Sequence, residues 1–213
     1  FVQLAREKMS KSSGNILSIG GVLQRFDPVA LRLYMLTTHY RHPIEFSEDA
    51  LVEAQRAVGR IYETVRRVDR SLGPISDCDV EADSMSEFRQ EMDDDFNTPR
   101  ALAVVFEEVR AINRMLDRGD TLGLDARRNG LRAMTDVLGL MQAPPERFLE
   151  DKRRIGLSRL ALPEEEIRQL IDERNQARSV RDWQQADGIR DALKEKGIVL
   201  KDAPSGTTWE LAE

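Results

Sequence analysis

The sequence predicts a mainly helical chain: an antiparallel helical bundle followed by a small α+β domain of two helices and a short β-hairpin. Three observations carry that prediction. From Leu51 to Leu72 apolar residues recur three and four apart, the seam of a long helix packed near-antiparallel on its neighbours. Proline and glycine fall where helices would start and stop, at Asp27-Pro28, Gly73-Pro74, Thr98-Pro99 and Gly119. Beyond Gly197 the pattern changes to two β-prone runs, Ile198-Val199-Leu200 and Thr207-Thr208-Trp209, joined through Asp202, Pro204 and Gly206.

In chain order, Ile16, Ile19, Val22, Leu23 and Phe26 form one face of a short first helix. Asp27 caps the next, about Pro28 to Tyr40, which turns Leu31, Tyr34, Met35 and Thr38 to one side before His42-Pro43 breaks it. Ser47 caps a long helix from about Glu48 to Leu72, with Leu51, Ala54, Val58, Ile61, Val65, Val68 and Leu72 along its seam. A polar link, Ser76 to Asp83, leads to a helix around Ser86 to Asp93. Asn97 then caps a helix whose stripe is Leu102, Val105, Phe106, Val109, Ile112 and Leu116. Leu131, Met134, Leu138 and Met141 mark another. Ala143 to Pro163 reads as a linker, with Pro144-Pro145, the basic cluster Lys152-Arg153-Arg154 and Gly156. Helices over about Glu164 to Val180 and Asp182 to Lys196 precede the hairpin. The expected division is 1–46, 47–142 for the bundle, 143–162 for the linker and 163–213 for the small domain.

The chain has 213 residues, 40% hydrophobic, 33% charged and 6% aromatic, the balance of a soluble, helix-rich protein. No apolar run reaches the roughly 18 to 20 residues of a membrane span, and the first residues lack a signal peptide's basic start and apolar core. Cytosol is the expected compartment, and a monomer the expected state. Cys78 is the single cysteine, which rules out an intramolecular disulfide or a cysteine zinc cluster. The net charge of −6 argues against a general nucleic-acid coat. Charge is uneven, however: nine acids against Arg89 alone lie between Asp77 and Asp95. Such a patch tolerates basic RNA contacts elsewhere, because screening limits its reach to about 10 Å.

Near the N-terminus stands Lys8-Met9-Ser10-Lys11-Ser12, followed by Gly14-Asn15. Two mobile ammonium groups among hydroxyl residues, with a glycine just beyond, suit a loop that folds over a polyphosphate. No G-x-x-x-x-G-K-[ST] P-loop occurs. The stretch resembles the KMSKS loop of class I aminoacyl-tRNA synthetases, which closes on ATP during amino-acid activation. In that family the loop follows a Rossmann catalytic domain, whereas here only seven residues precede it.

Four stretches in order narrow the resemblance. KMSKSSGN is followed by RFDPVALRLYMLTTHYRHPIEFSEDAL, by MDDDFNTPRAL, and by RNQARSVRDWQQADGIRDALKEKGIVLKDAPSGTTW. Together they are similar to cysteinyl-tRNA synthetases from roughly Glu7 to Trp209. The resemblance implies a bundle of the class I anticodon-binding type, then a small anticodon-recognition domain. It also implies a parent reaction that activates cysteine with ATP and transfers it to tRNA(Cys). The family's His-Ile-Gly-His motif and its cysteine-rich zinc ligands are absent from this sequence. The chain is therefore expected to be a C-terminal part of such a ligase, inactive alone, with the zinc in the catalytic domain and no metal here.

On the resemblance, Lys8 and Lys11 stabilise charge growing on the triphosphate, with Lys11 as the ATP contact. Arg174, Arg178, Trp183, Asp187 and Asp202 are the candidates for reading the anticodon. Arg174 and Arg178, four apart on a helix, present forks suited to phosphate or the acceptor edge of guanine. Trp183, at a bend between helices, suits stacking on an unpaired base. Asp187 and Asp202 suit acceptance from base amino or imino groups, which the cognate GCA anticodon offers. From the residues alone, the plain alternative is that Trp183 is core and Asp187 pairs with Arg190. Trp209 is expected to cap the small domain's core, and the acidic end Glu210-Leu211-Ala212-Glu213 departs from the basic ends of many relatives. His39, Tyr40 and Arg41 match the family's region facing the inner corner of tRNA, where Arg32 and Arg41 would meet phosphates. Asp93 to Asp95 read as a solvated, helix-capping acidic turn rather than a magnesium site. Two alternatives stay open: a stand-alone tRNA-binding or scaffold module with a vestigial loop, and a cysteine ligase of thiol-cofactor synthesis.

Overall fold

The structure, a computed structural model, describes residues 2–4, 7–8, 18–73, 82–160, 163–203 and 206–211. It divides into two compact units, Phe1–Glu146 and Arg147–Glu213.

In the first unit a three-stranded sheet runs in the order β2-β1-β3. Strand β1 (Val2–Leu4) pairs antiparallel with β2 (Glu7–Lys8) and parallel with β3 (Ile44–Phe46), Val2 lying opposite Ile44. The sequence reading missed this sheet, because runs of two or three residues carry no measurable alternation. Helix α1 (Ile19–Leu23) is capped by Ser18, whose Oγ accepts from the Gly21 amide at 3.1 Å.

Helix α2 (Pro28–Leu36) begins as expected, with Asp27 accepting from the Val29 amide at 2.7 Å and proline in the first turn. It stops four residues short of Tyr40. Thr37 Oγ1 donates to the Tyr34 carbonyl at 2.7 Å, closing the last turn, and the chain then turns away. The buried face is Ala30, Leu33 and Tyr34, and Met35 is exposed. The Tyr34 hydroxyl donates to the Glu45 carbonyl and so fastens α2 to β3.

Helix α3 (Glu48–Leu72) has the expected limits and seam, and Leu51, Val58, Ile61, Val65 and Val68 are fully buried. Ser47 Oγ accepts from the Ala50 amide at 3.3 Å, with Glu48 and Asp49 favourably placed in the positive first turn. Ser47→Ala should therefore lower stability by about 1 kcal/mol in urea denaturation, with an unchanged denaturant slope.

Helices α4 (Ala82–Asp93), α5 (Thr98–Arg118) and α6 (Leu124–Val137) complete the bundle, α3 packing against α2, α5 and α6. Asn97 occupies the cap position of α5 without making a side-chain cap bond. Polar ties fix the packing. Asn113 donates to Thr64 Oγ1 at 2.8 Å and accepts from Arg67. Arg128, only 1% exposed, donates to Asp69 at 3.0 Å and to the Gly73 carbonyl at 3.3 Å, which satisfies the C-terminal end of α3. Arg132 holds the other Asp69 oxygen at 3.0 Å.

The second unit corrects the linker reading. Residues 145–160 form a helix, α7 (Pro145–Leu160), and Leu157 joins the small unit's core. Pro145 is the first helical residue, where a missing N–H costs nothing, and Gly156 inside a helix costs only about 1 kcal/mol. Burial of Leu157 outweighs it. The core is Leu157, Ile167, Ile171, Leu193 and Ile198, with Trp209 packed against it as expected. The Arg153 guanidinium lies 3.7 Å from the Trp209 ring centroid and pairs with Glu164 at 3.0 Å. Helices α8 (Glu164–Ser179) and α9 (Trp183–Glu195) pack together, and strands β4 (Ile198–Ala203) and β5 (Gly206–Leu211) form the hairpin. Its register sets Leu200 opposite Trp209 and Asp202 opposite Thr207.

Candidate nucleic-acid interface

Two elements of the second unit converge on one carboxylate. Arg174 and Arg178 sit one turn apart on α8, so their side chains leave the same face. Asp202 comes near the end of β4 and Thr207 near the start of β5. Arg174 grips Asp202 with both terminal nitrogens, Nη1 to Oδ1 and Nη2 to Oδ2, each at 2.9 Å. Thr207 Oγ1 donates to Oδ1 at 2.8 Å, and Arg178 Nη1 lies 3.0 Å from Oδ2. Each oxygen thus meets two donors, which fills a carboxylate's acceptor capacity. The Arg174 hydrogen bonds, then that of Thr207, hold the Asp202 carboxyl well below the usual carboxylate range.

This geometry gives two of the sequence candidates a second role. Arg174 is 6% exposed, and both its terminal nitrogens serve the carboxylate. Asp202 has its lone pairs occupied and, in this arrangement, has none to offer a base. The sequence could not anticipate this, since the pairing follows from the β4–β5 register and the seat of the hairpin against α8. Thr207, and Asn175 at 3.2 Å from its hydroxyl, were missed for the same reason.

The other candidates face outward. Arg178 touches Asp202 by one nitrogen and is otherwise half-exposed. Trp183 opens α9 directly after a tight turn, in which Arg181 adopts a left-handed φ of 63° and Asp182 accepts from the Gln185 amide at 3.0 Å. Its indole is 58% exposed, so the core alternative fails for Trp183. Val180 in the same turn is exposed too. Asp187, one turn beyond Trp183 on α9, is exposed. The Arg174 guanidinium is raised above its ordinary value chiefly by its hydrogen bonds to Asp202, with Asp187 a lesser contributor. No ion pair joins Asp187 to Arg190 among the described residues.

In the first unit Lys8 falls in β2, and Lys11 lies outside the described residues, as does Cys78. Among the described residues, no group of three or more histidine, cysteine, aspartate or glutamate side chains is placed to hold a metal ion. Arg32 lies against Gly139, where a Cβ would come within 2.5 Å of its Nη1. His39, Tyr40 and Arg41, in the loop between α2 and β3, gather on Asp95 in the turn between α4 and α5. Tyr40 donates to Asp95 Oδ1 at 2.7 Å, and Arg41 donates through Nε to Oδ2 at 2.6 Å and through Nη2 to Oδ1 at 3.0 Å. Asp95 is therefore an ion-paired junction, not the merely solvated turn expected. Arg41, then Tyr40, bring its carboxyl down to about 2.

Three family models match the chain in order. The class I (C) tRNA synthetase catalytic domain matches residues 1–56, the DALR domain 87–142, and the cysteinyl-tRNA ligase anticodon binding domain 162–209. A cysteine–tRNA ligase from Thermodesulfovibrio yellowstonii is 39% identical over 226 residues, covering 99% of this chain and 46% of that protein. Those from Pelobacter propionicus and Escherichia fergusonii are 42% and 40% identical, covering 99% and 98% of this chain and 48% and 43% of theirs.

The chain belongs to the cysteinyl-tRNA synthetase family. It spans about half the length of the curated relatives it matches. Within this cysteinyl-tRNA synthetase chain, the anticodon-binding match contains Arg174, Arg178, Trp183, Asp187 and Asp202, and the DALR match contains Asp95. Lys8 and Lys11 fall in the match to the catalytic domain. No helix among the described residues is long and apolar enough to cross a membrane.

Proposed function

We propose that this chain is the tRNA-binding part of a cysteine–tRNA ligase, an enzyme that activates cysteine with ATP and transfers it to tRNA(Cys). The observation that carries the reading is the exposure of both the Trp183 indole and the Arg178 fork, within the stretch that matches the anticodon binding domain. An exposed tryptophan at a helix start suits stacking on an unpaired base. A guanidinium steadied on one side by a carboxylate suits the acceptor edge of a base. Arg178 and Trp183 are the direct contacts in this reading, and Asp187 lies on the same α9 face as Trp183. Arg174 and Asp202 belong to the support behind them. Lys8 and Lys11 contribute cations to the triphosphate in the complete active site, with Lys11 as the ATP contact. We assign the zinc to the catalytic domain, because Cys78 is the only thiol in this chain. The ligase acts in the cytoplasm as a monomer. The anticodon-domain match counts against a cysteine ligase of thiol-cofactor synthesis, which has no anticodon to read.

Titration of tRNA(Cys) and of an anticodon-substituted tRNA(Cys) at several salt concentrations tests the proposal. The substituted tRNA should bind at least about tenfold more weakly, with the same dependence of log K on log salt, because base contacts release no counterions. Equal affinities would reject anticodon recognition by this chain.

A further inference from the structure

The junction at Asp95 is more elaborate than a surface ion pair requires. Asp95 and Phe96 are consecutive non-glycine residues in the left-handed region, with φ of 54° and 53°. Each such residue is strained, a bulky one more than an aspartate, and strain of this kind is held where the surrounding structure needs it. What it achieves here is visible. The turn brings one carboxylate onto a loop more than fifty residues away in sequence, where it takes three hydrogen bonds from Tyr40 and Arg41.

The donors are themselves layered. The His39 and Tyr40 rings stack at 4.9 Å with 25° between planes, and the Arg41 guanidinium sits 5.3 Å from the Tyr40 ring centroid. His39 Nε2 is 3.8 Å from Asp95 Oδ2. Arg41 meets the carboxylate with Nε and one hydrogen of Nη2. The opposite edge of the fork, Nη1 and the second Nη2 hydrogen, makes no hydrogen bond to the carboxylate, and the side chain is 63% exposed. That edge has the two-donor geometry that matches a phosphate. Because Asp95 offsets the charge, the pair gives little long-range attraction. It supplies direction.

Resting on the tRNA-binding reading above, we propose that Asp95 is a positioning residue. It holds Arg41 and Tyr40 so that the outer edge of the Arg41 fork receives a backbone phosphate of the bound RNA. The sign of one substitution separates this from the alternatives. Removing a negative charge from an RNA-facing surface should tighten binding if charge alone matters. Removing a positioning group should weaken it.

The test measures tRNA(Cys) affinity of the whole chain and of Asp95→Asn, Arg41→Ala and the double variant, each across a salt series. Asparagine tolerates the left-handed backbone, so the turn is kept. Arg41→Ala should bind about tenfold more weakly, with a salt slope shallower by about one. Asp95→Asn should bind about fivefold more weakly in the wild-type background and no more weakly in the Arg41→Ala background. Tyr40→Phe, which removes one hydrogen bond and leaves the charge, should lower affinity in the same direction by about twofold, a second reading should Asp95→Asn fold poorly. Unchanged or tighter binding by a folded Asp95→Asn, or equal losses in both backgrounds, overturns the positioning role alone. If Asp95→Asn does not fold, undiminished binding by Tyr40→Phe overturns it. A wild-type chain that does not bind tRNA overturns both this inference and the reading beneath it.

Discussion

Arg174→Ala should destabilise the C-terminal unit by about 2 kcal/mol and remove most of the discrimination between tRNA(Cys) and an anticodon-substituted tRNA. Breaking a buried ion pair costs about 3 to 5 kcal/mol when both partners are enclosed. Asp202 is 44% exposed, so water regains part of that loss and the smaller figure applies. The functional consequence follows from geometry. Without Arg174, Asp202 keeps Thr207 but loses the bidentate grip that fixes its plane, and Arg178 loses its fixed neighbour. Arg174→Met separates the two effects. An apolar side chain of similar length refills the buried space and should recover stability to within about 1 kcal/mol of wild type. It restores no donor, so discrimination should remain lost. Should Arg174→Met read the anticodon as well as wild type, the residue is structural only.

The same pair sets a pH dependence. The folded Asp202 carboxyl is held below its unfolded value, first by Arg174 and then by Thr207. A depressed carboxyl contributes stability that is full above the unfolded pKa, roughly 3.9, and is lost as pH falls through the folded value. The stability gap between wild type and Arg174→Met should therefore narrow from neutral pH into the region below about pH 4, in chemical denaturation followed at each pH.

What the sequence made legible is whatever repeats or punctuates. The α3 seam and the Ser47, Asp27 and Gly73 signals are local, so a one-dimensional reading located them. Pro144-Pro145 misled because a proline that ends one helix and a proline that begins another look alike until a partner surface is known; α7 forms because Leu157 has a core to enter. The anticodon candidates were legible as a set, through resemblance and residue type, but their division of labour was not. Arg174 and Arg178 have identical chemistry and share a helix face. Only the packing of β4 on α8 turns one into a buried buttress and leaves the other at the surface. Asp95 shows the same limit, since an acidic run near a helix end reads as solvated until the fold brings Arg41 to it.

Trp183→Ala should weaken tRNA(Cys) binding by about 5- to 150-fold, the span set by roughly 1 to 3 kcal/mol for one base stacked on an aromatic ring. The fold should not register the change. The indole is 58% exposed, the Asp182 cap and the left-handed Arg181 that shape the turn are untouched, and alanine is the better helix former at the start of α9. Thermal and urea midpoints should stay within about 0.5 kcal/mol of wild type. Trp183→Phe should recover part of the affinity, because a smaller ring still stacks. Two further readouts distinguish stacking from other roles. A stack releases no counterions, so the salt slope should be unchanged, in contrast to Arg41→Ala. Stacking also accepts any base, so Trp183→Ala should weaken tRNA(Cys) and the anticodon-substituted tRNA by the same factor, leaving their ratio intact. Arg174→Met should do the reverse, collapsing the ratio with a smaller loss of affinity for the substituted tRNA. If Trp183→Ala instead collapses the ratio, the indole orders the base-reading groups rather than holding a base. If affinity is unchanged in the folded variant, the exposed tryptophan is not part of the interface.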